Sequence, residues 1–150
     1  PAANKQGRVA GEMIAGTKTK GFPGIIGTAI FKCLDIFCAQ TGLKLEEAKV
    51  LGFDVDFISM ENREIPHYYP NSKIMNIKLI FDLKTHKILG AEIIAGSAMG
   101  AKKIDVLVAA ISGNNTIEQL QDLDLAYAPP FSPVWDPILI AANIASKRLK

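Results

Sequence analysis

Four prolines fall within the eleven residues Tyr127 to Pro137, Tyr-Ala-Pro-Pro-Phe-Ser-Pro-Val-Trp-Asp-Pro, together with three large aromatic side chains. Each proline fixes φ and lacks an amide donor, which excludes helix interior and central strand. The stretch is therefore expected to run as a stiff, mostly extended arm. Stiffness lowers the entropy lost on ordering, so such an arm is able to hold Tyr127, Phe131 and Trp135 at fixed places on a neighbouring surface. The same residues also suit a proline-rich connection beneath which Phe131 and Trp135 complete the core. Local sequence leaves both readings open.

A chain of 150 residues, 49% hydrophobic and 21% charged, suits one folded domain with a sizeable core. A net charge of +2 does not argue for nucleic acid, and the basic group Lys147, Arg148 and Lys150 reads as a solvated helix end. The two cysteines, Cys33 and Cys38, form no Cys-x-x-Cys pair and show no metal-ligand spacing with His67 or His86. They read as core-filling thiols of a reduced, cytoplasmic protein. No apolar run reaches the roughly 20 residues of a membrane span, and no signal peptide is visible. The chain starts at Pro1 without an initiator methionine, so it is expected to be part of a longer protein.

Asn4 is placed to cap a helix with Val9, Ala10, Met13 and Ile14 as its apolar stripe and Gly16 as its end. Gly7 and Gly11 inside it each cost about 1 kcal/mol relative to alanine. They suit a close approach by another backbone or a ligand, or simply a weak terminal helix. Residues Lys18 to Gly27 read as a loop. Residues 28–38 fit either a helix face or a buried strand, and Thr41-Gly42 then breaks the chain. Leu45 to Leu51 reads as a short helix closed by Gly52.

Phe53 to Phe57 alternates with apolar residues inward and Asp54 and Asp56 outward on a half-buried strand. That carboxylate pair suits a wet strand face better than a metal site. After a polar loop from Asn62 to Ser72, Met75, Ile77, Leu79 and Phe81 line a second strand. Ile88 to Ile94 forms a third, paired with it as an antiparallel hairpin whose turn carries a solvent-facing His86. Gly96 to Gly100 reads as a loop before a helix striped by Ile104, Leu107, Val108 and Ile111. Thr116 to Gln119 is a capping box that opens another short helix. Asp136-Pro137 is an N-cap with proline at the first helical position, opening a final helix from Ile138 to Leu149. That helix is apolar on nearly every side, which calls for cover by a partner subunit or second domain. The layout is α+β, an antiparallel β-sheet of about four to five strands with helices packed on one face.

The residues show no nucleophile–base pair and no phosphate-binding G-x-G-x-x-G or Walker loop. Gly96 to Gly100 suits either an anion at a helix N-terminus or a plain turn. The chain reads as an interaction domain that lends aromatics to something else.

Asn4-Lys5-Gln6-Gly7-Arg8, Gly27-Thr28-Ala29, His67-Tyr68-Tyr69-Pro70 and Tyr127-Ala128-Pro129-Pro130-Phe131 with Asp136-Pro137 occur in that order. In this the chain resembles the C-terminal dimerisation domain of the flavin-dependent pyridine nucleotide–disulfide oxidoreductases. The branch it is most similar to holds the NADH oxidases, NADH peroxidases and coenzyme A-disulfide reductases. The resemblance implies cytoplasmic homodimers joined through the sheet and the C-terminal helix. It also implies FAD and NAD(P)H domains of the same chain preceding this one, with the redox cysteine outside it.

On the same resemblance residues 1–25 adjoin the FAD domain, 26–150 form the dimerisation domain, and 28–38 become a sheet strand. Asn4 corresponds to a position beside the flavin, and Tyr127 to a tyrosine that reaches the flavin site of the other subunit. Tyr68, with Tyr69 as a substitute, corresponds to a catalytic tyrosine contributed in trans. A hydroxyl there suits proton or hydrogen-bond donation near a sulfur leaving group. Some relatives carry a lysine where Trp135 stands, so a charged coenzyme A contact does not carry over. This chain alone is expected to bind no FAD tightly and to be inactive. The alternative is a stand-alone α+β domain, small-ligand-binding or regulatory, with the tyrosines lining a pocket.

Overall fold

The computed structural model describes residues 2–17 and 20–149. Pro1, Lys18, Thr19 and Lys150 lie outside the described residues, and with them the start of the expected 18–27 loop. The elements run α1 (Ala2–Ile14), β1 (Ala29–Cys33), β2 (Ile36–Gly42), α2 (Leu45–Val50), β3 (Val55–Arg63), β4 (Ile74–Asp82) and β5 (Ile88–Ala95). Helices α3 (Ala98–Lys102), α4 (Ile104–Ser112), α5 (Ile117–Gln121) and α6 (Pro137–Ser146) follow. The five strands form one antiparallel sheet in the order β1-β2-β5-β4-β3.

Strand alternation puts Met75, Ile77, Leu79 and Phe81 of β4 on one face. The register sets Ile93 beside Ile77 and Ala91 beside Leu79. On the other flank of β4 it sets Ile58 beside Leu79. This face is closed by Ile104, Leu107 and Ala110 of α4, Ile117 and Leu120 of α5, and Ile138, Ala141, Ala142 and Ala145 of α6. The expected α+β layout is therefore observed, with α3 to α6 packed on this face.

The second face is largely open. Phe31, Ile36, Phe57, Ile74 and Ile94 are exposed on it, and Lys78 lies over the Phe57 ring at 5.2 Å. It is covered where Gly42 turns the chain back over β5. Gly42 has φ +70, and a Cβ there would meet the Leu89 carbonyl and the Gly90 backbone. A Cβ on Gly90 would collide with the Leu43 backbone, so this crossing requires glycine.

Several expectations are corrected. Residues 28–38 form neither a helix nor a single strand. β1 and β2 make a hairpin whose turn uses Leu34 at φ 51, a left-handed position with no glycine to announce it. Cys33 is exposed and Cys38 half-buried near that turn, so neither thiol fills the core. In β3 the phase is reversed. The strand extends to Arg63, and Ile58 and Met60 take the helix-covered side. Phe57 is thereby exposed, while Asp56 faces α6 with its Oδ2 3.5 Å from the Arg148 guanidinium. Phe53 precedes the strand. Asn4 is not an N-cap, because α1 is already helical at Ala2. Gly7 and Gly11 have open space where a Cβ would sit, so no described residue makes the close approach. The supposed loop Gly96 to Gly100 is mostly helix, since Ser97 caps α3 by accepting from the Gly100 amide at 3.1 Å.

Other local expectations hold. Thr116 and Gln119 form the capping box of α5. Asp136 caps α6, with Pro137 in its first turn. The β4–β5 turn is built on buried Asp82, whose Oδ2 accepts from the Thr85 hydroxyl at 2.5 Å and the Thr85 amide at 3.0 Å. Burial acts to raise this carboxyl. The Thr85 hydroxyl and the amides of Thr85, Asp54 and Lys84 outweigh burial and hold it below its ordinary 3.8.

Candidate functional site

Between α5 and α6 the chain places its polar and apolar residues against expectation. In the arm Tyr127–Pro137, Ser132 is only 2% exposed and Asp136 6%. Phe131 and Trp135 are 64% and 66% exposed, with Tyr127 at 49%. The rings do not finish the core; they stand out from it. Nor is the arm straight. The Phe131 and Ser132 amides both donate to the Ala128 carbonyl, at 2.9 and 3.0 Å, closing a turn over Pro129-Pro130.

What holds the arm is polar. The Asp136 Oδ1 accepts from the Ile138 amide at 2.9 Å, the N-cap bond of α6. Its Oδ2 accepts from the Ser132 hydroxyl at 2.9 Å and from Lys103 Nζ at 2.5 Å. Lys103 sits between α3 and α4, and its side chain is 14% exposed. A lysine so covered requires its counter-ion.

The arm meets the end of β3 and the loop that follows it, residues 62–69. Asn62, Arg63, Ile65, Pro66, His67 and Tyr68 form one wall, and Pro133 and Val134 the other, of an open groove of about 270 Å³. Pockets that enclose a small organic ligand span roughly 300–1,000 Å³, so this groove would embrace an edge of a larger ligand rather than swallow it. Tyr68 is exposed at the rim and packs edge-on against the His67 ring, centroids 5.6 Å apart and planes at 80°. The loop is fixed from below. Arg63 donates to the Ser72 carbonyl at 3.0 Å, and the Ser72 hydroxyl donates to the Ile65 carbonyl at 2.9 Å.

Glu64 lies beneath the same loop, fully buried, and accepts a hydrogen bond from the Ser97 hydroxyl. A Cβ on Gly100 would sit 2.6 Å from the Glu64 carboxylate. The start of α3, considered above as an anion site, is thus occupied by the protein's own carboxylate.

The structure therefore brings Tyr68 and the proline arm together in one groove. Tyr69 is half-buried, and neither it, Tyr127 nor Asn4 lines that groove. Asn4 lies exposed on α1, where only Val9 is buried. His86, expected in solvent, is half-exposed and bonded through Nδ1 to Glu118 Oε1 at 2.6 Å. Burial acts to raise Glu118. Its own amide, the Thr116 hydroxyl and His86 bring it below its ordinary 4.5. Among the described residues no group of three or more His, Cys, Asp or Glu side chains is placed to hold a metal ion. No helix among them is long and apolar enough to cross a membrane. A second, flatter hollow of about 440 Å³ runs along α4, and its one charged lining residue is Asp105. That carboxylate is paired with Lys102 Nζ at 2.6 Å.

Sequence reasoning missed Glu64, Lys103 and Ser132. Lys103 carried a signal, since it precedes Leu107 and Ile111 at four-residue steps and so falls on an apolar stripe. Glu64 and Ser132 had none, because their partners are distant in sequence or hidden in a turn.

The sequence model of the family described as pyridine nucleotide-disulphide oxidoreductase, dimerisation domain, matches residues 28–137. An NAD(P)H sulfur oxidoreductase (CoA-dependent) from Pyrococcus furiosus is 39% identical over 144 residues, 96% of this chain and 32% of that protein. A coenzyme A disulfide reductase from Staphylococcus haemolyticus is 32% identical over 130 residues, 87% of this chain and 29% of that protein. A solved NAD-dependent persulfide reductase from A. fulgidus superposes with a TM-score of 0.91 at 44% identity, covering 97% of this chain and 27% of its own. The chain thus spans about a third of the length of the curated relatives it matches.

Proposed function

Because the chain belongs to the dimerisation-domain family of the pyridine nucleotide-disulphide oxidoreductases, we propose that it holds a homodimeric flavoenzyme together and completes its partner's active site. The activity proposed is NAD(P)H-dependent reduction of the NADH oxidase or coenzyme A-disulfide reductase type, in the cytoplasm. The observation that carries this reading is the arm. It buries Ser132 and Asp136 and turns Tyr127, Phe131 and Trp135 outward, beside a loop that presents Tyr68 at the same groove. A segment built to close its own core would do the reverse. Exposed aromatics on a rigid polar mount suit a surface that another subunit covers.

The contacts follow from exposure. The open sheet face, with Phe31, Phe57, Ile74 and Ile94, and the exposed Ile144 of α6 offer the apolar area for the second copy. Helix α1 buries only Val9 and leaves Met13 and Ile14 exposed, which suits docking against a flavin-binding part of the same chain, with Asn4 at that junction. The two free thiols fit a reducing compartment.

The groove is too small to enclose a dinucleotide, and the start of α3 is filled by Glu64. FAD and NAD(P)H would thus be held mainly by other parts of the protein, while the exposed hydroxyls of Tyr127 and Tyr68 fit an edge contact. The chemistry that a flavin supplies when bound is acceptance of a hydride from the nicotinamide. Beside the redox cysteine expected outside this chain, its own residues would assist: Tyr127 orients, Tyr68 or Tyr69 donates a proton or hydrogen bond at a departing sulfur or oxygen, and the arm excludes water.

Tyr127→Phe and Tyr68→Phe in the full-length enzyme test this. Tyr68→Phe is expected to lower kcat about tenfold or more, and Tyr127→Phe to shift the flavin absorbance spectrum. Unchanged spectra and unchanged turnover in both would leave the tyrosines as surface packing only.

A further inference from the structure

We propose that Lys103 is a positioning residue, whose buried ion pair with Asp136 sets where the arm presents Tyr127 and the groove wall Pro133–Val134. This rests on the reading above that the arm serves a flavin site. Lysine is seldom buried, and replacing a buried ion pair with well-packed apolar side chains is often neutral or stabilising. What a charge pair adds is a narrow geometry. Here both ends of that geometry are mounted on fixed parts of the molecule. Lys103 lies between the fully buried Ala101 and Ile104, whereas Asp136 begins α6, with Pro137 and Ile138 buried behind it.

From Asp136 the constraint passes along the arm by hydrogen bonds. The Ser132 hydroxyl donates to the oxygen that Lys103 also holds, at 2.9 and 2.5 Å. The Ser132 amide donates to the Ala128 carbonyl at 3.0 Å, one residue from Tyr127. Pro133 and Val134, which wall the groove, follow Ser132 directly. One ion pair therefore controls both the turn that carries Tyr127 and the wall that faces Tyr68. Phe131, Val134 and Trp135 on the arm's outer face are exposed and add no packing that would hold this pose.

The test is Lys103→Met, Lys103→Arg and the double variant Lys103→Met/Asp136→Asn in the full-length flavoenzyme. Hydrogen exchange across 127–137 is read by mass spectrometry, beside thermal midpoint, kcat and KM for NAD(P)H. Lys103→Met is expected to speed exchange at the Phe131 and Ser132 amides about tenfold or more, and to lower kcat about tenfold with little change in KM. Lys103→Arg restores both. The double variant, with no buried charge left unpaired, recovers the thermal midpoint but not the exchange protection or kcat.

Unchanged exchange in Lys103→Met overturns the proposal. So does a loss of kcat that the double variant recovers together with its thermal midpoint. Faster exchange with unchanged kcat also overturns it, by showing an arm that is clamped but serves no site. In that case the Tyr127→Phe spectrum tells whether the flavin reading has failed as well.

Discussion

The turn that joins β4 to β5 and the arm that joins α5 to α6 both reverse the chain around a buried aspartate, yet they hold their aromatic residues in opposite places. At the turn, Asp82 accepts from the Thr85 hydroxyl and amide, and Phe81 beside it is completely buried. At the arm, Asp136 accepts from the Ser132 hydroxyl, the Ile138 amide and Lys103, and Trp135 beside it is exposed. At the turn, apolar burial and hydrogen bonding act together, so the site is stable from both causes. At the arm, side-chain hydrogen bonds and the fixed φ of the prolines set the conformation, and the rings remain available to another surface. The turn is thus a segment that stabilises this fold, and the arm one that the fold displays.

The largest effect expected from that contrast is at Phe81. Phe81→Ala should cost about 3–5 kcal/mol, read as a lower midpoint in thermal or urea unfolding. A loss below about 1 kcal/mol would show that the hairpin face is not the core it is taken to be.

An intermediate effect is expected at Asp82. Asp82→Ala removes charge-assisted hydrogen bonds and leaves amides unpaired, for a loss of about 1–3 kcal/mol. The pH dependence has a definite sign. The folded carboxyl lies below its ordinary 3.8, so its contribution is complete above that value and is lost as pH falls through the lower folded value. Stability of the wild type should therefore fall more steeply than that of Asp82→Asn as pH drops below about 4. Parallel acid profiles would show that Asp82 does not stabilise as the ionised form.

How far the sequence revealed each region follows from the range of its determinants. Met75, Ile77, Leu79 and Phe81 alternate, Thr116 and Gln119 cap a helix, and Asp136-Pro137 opens one, so these elements were legible from a few neighbours each. The β1–β2 hairpin was not. Its turn uses Leu34 in a left-handed conformation, where glycine or asparagine would have given the turn away. In β3 the five-residue window Phe53 to Phe57 suggested the wrong phase, which Ile58 and Met60 correct once the strand is followed to Arg63. The motif residues Tyr68 and Tyr127 were visible as residue types. The groove was not, because it depends on the end of β3 and the loop after it meeting Pro133 and Val134 across the fold. Likewise, Lys103 and Asp136 are 33 residues apart and become a pair only in three dimensions.

The smallest expected effect decides whether the arm displays its rings. Phe131→Ala and Trp135→Ala should each change the unfolding free energy of the separated subunit by no more than about 0.5 kcal/mol. Buried aromatics of this size would cost several times more on truncation. Trp135 is the chain's single tryptophan, so in a subunit carrying no other its emission and its quenching by acrylamide report directly on this position. If a second copy covers the arm, quenching should fall as protein concentration rises, and the penalty for Trp135→Ala should grow with it by mass action. A penalty that is large already at dilution would instead place the ring inside its own subunit. That result would erase the contrast with Phe81, because both aspartate-centred reversals would then be anchored by buried aromatics.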